Sequence, residues 1–276
     1  MDWFKSVSAP LRYLSQRRAE RKGAKYERNK LKKIIKFSKK YGVKKHQDYN
    51  FGEDHQKNEY LERLKNKILK DKVSMLGRHK LDTLRYCTEE CLKNNIDGDI
   101  IETGVWRGGA TIYLAGILKA NGNSNKKVFV ADSFDGLPPP DEEKYPLDSG
   151  AKHHMLRDLA ISLEQVKANF KSFDLLGDNI VFVEGFFEDS LKTAHIGKLS
   201  VLRLDGDMYG STMTVLRQLY HKLEVGGYLI LDDWLLTGAR QALLDFRAEM
   251  GIREDIYEDF SGVFWKKTMA TGEPDQ

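Results

Sequence analysis

Four aspartates carry the most readable chemistry in this chain. Asp205 and Asp207 follow the apolar run Val201 to Leu204, and Asp232 and Asp233 follow a second run, Tyr228 to Leu231. Short apolar runs bounded by turn signals read as buried strands of a parallel sheet. If the helix between them makes a right-handed crossover, the strands' C-terminal ends lie side by side and the carboxylates converge. Carboxylates crowded in this way take up protons, splay apart, or share a hard divalent cation with oxygen ligands. In the competing reading Asp205 and Asp232 cap the following helices while Asp207 and Asp233 are solvated. Two acid pairs at matched strand ends favour the cation site.

A second constellation precedes them. The stretch DIIETGVWRGGATIYLAG places a short strand, Asp99 to Glu102, before a turn containing Gly104, Gly108 and Gly109, and a helix over Ala110 to Ala120. Such a turn lets the backbone approach a ligand, with helix-terminal N–H groups facing it. The next strand ends in Asp132, an acid placed to accept hydrogen bonds from a ribose diol. The loop is GVWRGG rather than the GxGxxG that closes on a pyrophosphate, and Glu102 precedes it. A cationic sulfonium with a free amino group suits that carboxylate, whereas a pyrophosphate is repelled. A third expected strand, Ile180 to Val183, leads into Gly185 and Phe186, and the apolar ring of Phe186 can cover an adenine or pack in the core.

The elements that must position these residues follow from periodicity. Leu61, Leu64, Ile68 and Leu69 form one helical stripe; Leu81, Leu84 and Cys91 mark the helix before the first strand. Residues 133–154 contain four of the six prolines and show no periodicity, so they form a long loop over the strand ends, read as a substrate-facing lid or a surface excursion. His153 and His154 fall in it, as substrate contacts or as surface residues. Ser162 to Phe170 and the stretch STMTVLRQLYHKL read as further helices, and SGVFWKK as a closing strand.

Composition excludes several classes. No run of 18 apolar residues spans a membrane, and the N-terminus lacks the pattern of a secretory signal. Cys87 and Cys91 share a helix face, read as core thiols; a cytoplasmic protein is expected, and two cysteines are too few for an iron–sulfur cluster. Residues 1–45 contain 16 Lys and Arg against 3 acids, a balance of +13; since the chain carries +4, residues 46–276 carry −9. In this arm Trp3, Val7, Leu11 and Leu14 fall at helical spacing, as do Leu31, Ile34, Ile35 and Ser38. The arm is read first as a solvated extension that docks on its own domain or a sister subunit. Membrane contact by an interfacial helix ranks second. Nucleic acid ranks last, because the body is acidic and no recognition fold is visible.

Together, IETGVWRGGATIYLAG, ADSFDGLP, SLEQVKANF, VEGFFEDSL, VLRLDGDMYGST, VGGYLILDDW and GARQALLDFR resemble the macrocin O-methyltransferase family, the metal-dependent sugar methyltransferases of macrolide and aminocoumarin antibiotic biosynthesis. The resemblance implies an α/β, Rossmann-like class I methyltransferase fold, a mostly parallel sheet flanked by helices, over residues 73–267. A basic, largely helical extension over 1–72 and a disordered tail over 268–276 complete the expected organisation. It further implies S-adenosylmethionine and Mg²⁺ as cofactors, a sugar hydroxyl of a small molecule as substrate, and self-association. By motif, Asp205, Asp232 and Asp233 would bind the metal, with Asp205 also the general base. Glu102, Thr103, Gly104, Val105, Trp106, Arg107, Gly108, Asp132, Ser133, Gly185, Phe186 and Asp205 would hold the cofactor, and Asp207 would be structural. Two other readings compete: a glycosyltransferase using Asp205-Gly206-Asp207 as a D-x-D metal motif, and a non-enzymatic binding protein acting through the basic arm.

Overall fold

The computed structural model of the protein describes residues 29, 32–45 and 58–270. The expected stripe positions Trp3, Val7, Leu11, Leu14 and Leu31 lie outside the described residues, as do residues 271–276 of the tail. The chain divides into two units, residues 1–43 and 44–276. In the first, residues 32–41 are helical, with Ile34 buried and Ile35 exposed. No described helix is long and apolar enough to cross a membrane.

The second unit is built on seven strands: β1 (Asp99–Thr103), β2 (Val128–Asp132), β3 (Ile180–Glu184), β4 (Leu199–Leu204), β5 (Leu223–Leu231), β6 (Tyr257–Asp259) and β7 (Gly262–Lys266). Their order is β3-β2-β1-β4-β5-β7-β6, with the first five parallel and β7 antiparallel to β5. Every residue of β4 is buried, Ser200 and Arg203 included, as in a strand covered on both faces. The order reverses between β1 and β4, and open α/β sheets bind ligands beyond the strand ends at such a switch point.

Helices α1 (Glu59–Asp71), α2 (Arg78–Lys93) and α3 (Gly109–Ala120) cover one part of the sheet. Ten of the twelve α3 residues are buried, and a helix apolar all round has to be covered on more than one side. That cover comes from α1 and α2. A Cβ at Gly116 would lie 2.1 Å from Leu64 Cδ2, so the glycine, which costs about 1 kcal/mol in helix propensity, permits the close approach of α1. Leu61, Leu64 and Ile68 of α1 join the same core as β1 and β2. The helix read as part of the extension therefore lies in the body, which begins at Lys44 rather than Val73.

The remaining helices are α4 (Leu163–Ser172), α5 (Phe187–Thr193), α6 (Tyr209–Leu219) and α7 (Thr237–Glu249). Three differences from the sequence reading have physical causes. Strand β6 has no apolar run of its own and exists by pairing with β7 across a tight turn. Strand β5 starts at Leu223, earlier than expected, because Leu223 pairs with Leu199 before a register shift. Short α5 has too few residues to display a period.

Candidate active site

The parallel register brings the strand tips together. Asp205 N donates to Thr103 O (2.9 Å) and Asp232 N to Leu204 O (2.9 Å), so the ends of β1, β4 and β5 are stitched side by side. The glycine turn after β1 passes directly over β4: a Cβ on Gly104, at φ +85°, would lie 1.8 Å from the carbonyl oxygen of Asp205. No other residue type fits without moving one of the two loops.

Beneath this crossing lies an ion cluster whose cations are buried and whose three aspartates are partly buried. Asp205, Asp232 and Asp233 each offer a carboxylate oxygen within 4.8 Å of the others. Arg203, 1% exposed, spans the cluster: one guanidinium nitrogen donates to Glu102 Oε1, and the other lies 3.0 Å from Asp205 Oδ2 and 2.5 Å from Asp232 Oδ1. From α2, Lys80 Nζ donates to Asp232 Oδ2 at 2.7 Å. Asp233 Oδ2 accepts from Asp207 N at 2.9 Å, with Asp207 held at φ +59°.

These partners divide the acids. Burial and the neighbouring Asp232 push the Asp205 carboxyl well above the ordinary range, although Arg203 opposes them. Burial, then Asp207 and Asp232, push Asp233 to about 8. For Asp232 burial acts in the same sense, but Lys80 and Arg203 outweigh it and hold the group low. A cluster whose own cations satisfy one acid and leave two crowded is short of positive charge, and its donors are all hard oxygens, the set that suits Mg²⁺.

Glu102 departs from the sequence reading. Its side chain was assigned to the cofactor's cationic end, yet it is 1% exposed and both oxygens are used, by Arg203 and by Thr111 Oγ1. Burial raises its pKa despite Arg203. Held between Thr111 of α3 and Arg203 of β4, it anchors the guanidinium.

A cavity of about 270 Å³ opens beside the cluster. Of the residues singled out from sequence, Gly104, Trp106, Asp132, Ser133, Phe186, Asp205 and Asp207 line it. Thr103, Val105, Arg107, Gly108, Gly185, Asp232 and Asp233 do not. Asp132 shapes the glycine turn: Oδ2 accepts from Val105 N (2.7 Å) and Trp106 N (3.3 Å), and Oδ1 from Phe134 N (3.0 Å). Arg107 turns outward, 4.5 Å from the Trp106 ring, and donates to Lys72 O. Gly185, at φ +122°, donates its N–H to Asp132 O and turns the chain so that Phe186 reaches the cavity, 41% exposed. His153 lies close enough to Asp207 to favour its ionised form, after burial has raised it.

Three residues escaped the sequence reading: Arg203, Lys80 and Asp148. The third fastens the long loop, which runs from Ser133 to Ser162 through three 3₁₀ turns. Met208 at the N-cap of α6 makes no side-chain cap. Asp148 supplies it from the loop, accepting from Tyr209 N (2.7 Å) and Gly210 N (2.8 Å). Leu137, Pro138 to Pro140, Tyr145 and Leu159 of the loop then wall the cavity. Asp148→Ala is expected to cost about 1 kcal/mol for the lost cap and to raise the acceptor KM more than it lowers kcat. Thermal unfolding and limited proteolysis check this; an unchanged cleavage rate within 133–162 would refute the anchoring role.

The chain matches the macrocin O-methyltransferase (TylF) family over residues 13–267. It is 42% identical over 200 residues to 8-demethyl-8-(2,3-dimethoxy-alpha-L-rhamnosyl)-tetracenomycin-C 4'-O-methyltransferase of Streptomyces olivaceus, covering 72% of this chain and 77% of that one. Mycinamicin III 3''-O-methyltransferase of Micromonospora griseorubida is 41% identical over 199 residues, covering 71% and 78%. Among solved structures, that of the O-methyltransferase NovP superposes with a TM-score of 0.70 at 42% identity, over 71% of this chain and 82% of NovP. These likenesses leave no place for the glycosyltransferase and non-enzymatic readings. By sequence, by sheet order and by the match to NovP, the chain belongs to the macrocin O-methyltransferase family and is an O-methyltransferase.

Proposed function

We propose that the enzyme methylates a hydroxyl of a sugar on a glycosylated small molecule, with S-adenosylmethionine as donor and Mg²⁺ as a bound cofactor. The observation that carries this reading is the convergence of Asp205, Asp232 and Asp233 directly under the Gly104 turn. The activities of the relatives, on a rhamnosyl-tetracenomycin and on mycinamicin III, support the substrate class.

When bound, S-adenosylmethionine supplies an electrophilic methyl group, and a divalent cation on Asp205, Asp232 and Asp233 lowers the pKa of a sugar hydroxyl. The protein's residues do the rest. Thr103, Gly104 and the Val105 to Gly108 turn form the backbone cradle for the cofactor, with Glu102 acting through Arg203 from beneath. Asp132 and Ser133 face its ribose, and Phe186 beside Gly185 covers its adenine. Asp205 accepts the hydroxyl proton at Oδ1, since Oδ2 is engaged by Arg203. The loop 133–162 excludes water and aligns the acceptor, which supplies much of the acceleration.

Calorimetry with S-adenosylmethionine, with and without Mg²⁺, tests the reading. Binding is expected in both conditions, with transfer to a rhamnosylated polyketide acceptor, read as a mass gain of one methylene, lost in EDTA. Absence of cofactor binding in both conditions overturns the reading, and undiminished transfer in EDTA overturns the metal's part in it.

A further inference from the structure

Asp232 is treated differently from the other acids at the strand tips. Both of its oxygens are already taken by protein cations, Oδ1 by Arg203 at 2.5 Å and Oδ2 by Lys80 at 2.7 Å. Arg203 belongs to the same sheet, whereas Lys80 comes from α2, upstream of the sheet, and is 6% exposed. Its ammonium also lies 3.3 Å from the Asp232 backbone carbonyl, so it fixes both the main chain and the side chain at the end of β5. The other acid nearby, Asp259, is 3% exposed and accepts from Thr83 Oγ1 at 2.8 Å, one turn along α2. A lysine this deeply buried is rare unless it is paired, and here its pair is a residue of the proposed cation site.

We infer that Lys80 is the internal counter-cation of the carboxylate cluster, a positioning residue that holds Asp232 in place before a divalent ion arrives and then shares that anion with it. This rests on the cation site proposed above. Two consequences follow from charge alone. Because the ammonium sits on a ligand, it repels a second cation, so it sets the affinity of the site below what three free carboxylates would give. Because it also fixes Asp232, it keeps the site formed when no ion is bound. Removing it leaves Asp232 held by Arg203 alone and hands Lys80's share of both tasks to the ion.

Mg²⁺ titrations by calorimetry and melting curves in EDTA and in Mg²⁺ test this on the full chain, comparing the parent with Lys80→Met and Lys80→Arg. Lys80→Met is expected to bind Mg²⁺ roughly tenfold more tightly, since a like charge has been removed, and to melt lower in EDTA. Mg²⁺ should then raise its Tm by more than it raises that of the parent. Its kcat at saturating Mg²⁺ should fall on the order of 10- to 100-fold, as for other residues that orient metal ligands. Lys80→Arg should keep the parent's Mg²⁺ affinity, and S-adenosylmethionine binding in EDTA should be the same in all three. A Tm lowered equally with and without Mg²⁺, or a Mg²⁺ affinity unchanged or weakened in Lys80→Met, overturns the inference and leaves Lys80 a structural residue. If the parent itself binds no Mg²⁺, the proposed cation site falls first and this inference with it. Should Lys80→Met fail to fold even in Mg²⁺, Lys80→Gln, neutral but still able to donate to Asp232, decides by the same titration.

Discussion

Asp233→Asn is expected to remove methyl transfer and leave the metal-free protein at least as stable as the parent, whereas Asp232→Asn is expected to remove transfer and stability together. The two residues are adjacent and both belong to the proposed cation site, so sequence alone gives no reason to separate them. Their partners do. Asp233 receives one backbone N–H, from Asp207, and burial, then the like charges of Asp207 and Asp232, push it to about 8 against the weaker pull of Lys80. An asparagine oxygen still accepts that N–H, and the substitution removes repulsion from Asp207 and Asp232. Asp232 instead neutralises Lys80 and Arg203, both buried. Taking its charge away leaves Lys80 without the carboxylate it donates to and Arg203 with Glu102 and Asp205 alone, a loss of about 3 kcal/mol. Both variants should lose at least about 100-fold in turnover, because a direct ligand matters no less than the residues that orient it. Thermal unfolding in EDTA, paired with Mg²⁺ calorimetry, reads the two effects apart. Parent-like turnover in Asp233→Asn removes it from the site; equal melting temperatures for the two variants refute the division of roles.

The strand tips were legible because a buried parallel strand writes itself as an apolar run and its end as the first polar residue. Asp132, Asp205 and Asp232 all stand at that boundary, and β1, β2, β4 and β5 could be aligned by it. What the pattern hides is charge inside a run. Arg203 interrupts VLRL, and a charged residue within a strand buried on both faces was itself a signal that a buried partner must exist. The same reasoning applied to Glu102 would have paired the two across β1 and β4, where they sit in register. Lys80 was invisible for another reason: α2 was read for its apolar stripe, and the lysine points toward the strand ends from a helix whose packing no sequence period specifies. Asp148 lies in a loop without periodicity, so nothing in its neighbourhood marked it as the cap of a helix that begins at Tyr209. Local patterns thus marked the acids at the strand tips, while long-range pairing decides which cation each of them meets.

Arg203→Met is expected to be the most damaging single change in the body. The guanidinium is 1% exposed and serves three carboxylates from three strand ends: Glu102 on β1, Asp205 after its own strand β4, and Asp232 after β5. A methionine of similar length fills the space but leaves all three acids without their shared cation, and breaking a buried pair from one side costs about 3–5 kcal/mol. Glu102 suffers most, since it is left with Thr111 Oγ1, a neutral donor, and burial already raises its pKa. The cost therefore resides mainly in the stranded acid, which gives a sharper test than the single variant. In Arg203→Met with Glu102→Gln the buried charge at β1 is gone, and urea unfolding in EDTA should recover more than half of the lost stability. Transfer should remain absent, because Asp205 and Asp232 have lost the group that spaces them. Mg²⁺ should stabilise the single variant more than the parent, its charge standing in for part of the guanidinium's. Arg203→Lys keeps a positive charge but not the fork that reaches Glu102 and Asp232 at once, and should fall between the two. A double variant no more stable than Arg203→Met would show that Glu102 is held by something other than this ion pair, and that the cluster is not the unit its geometry implies.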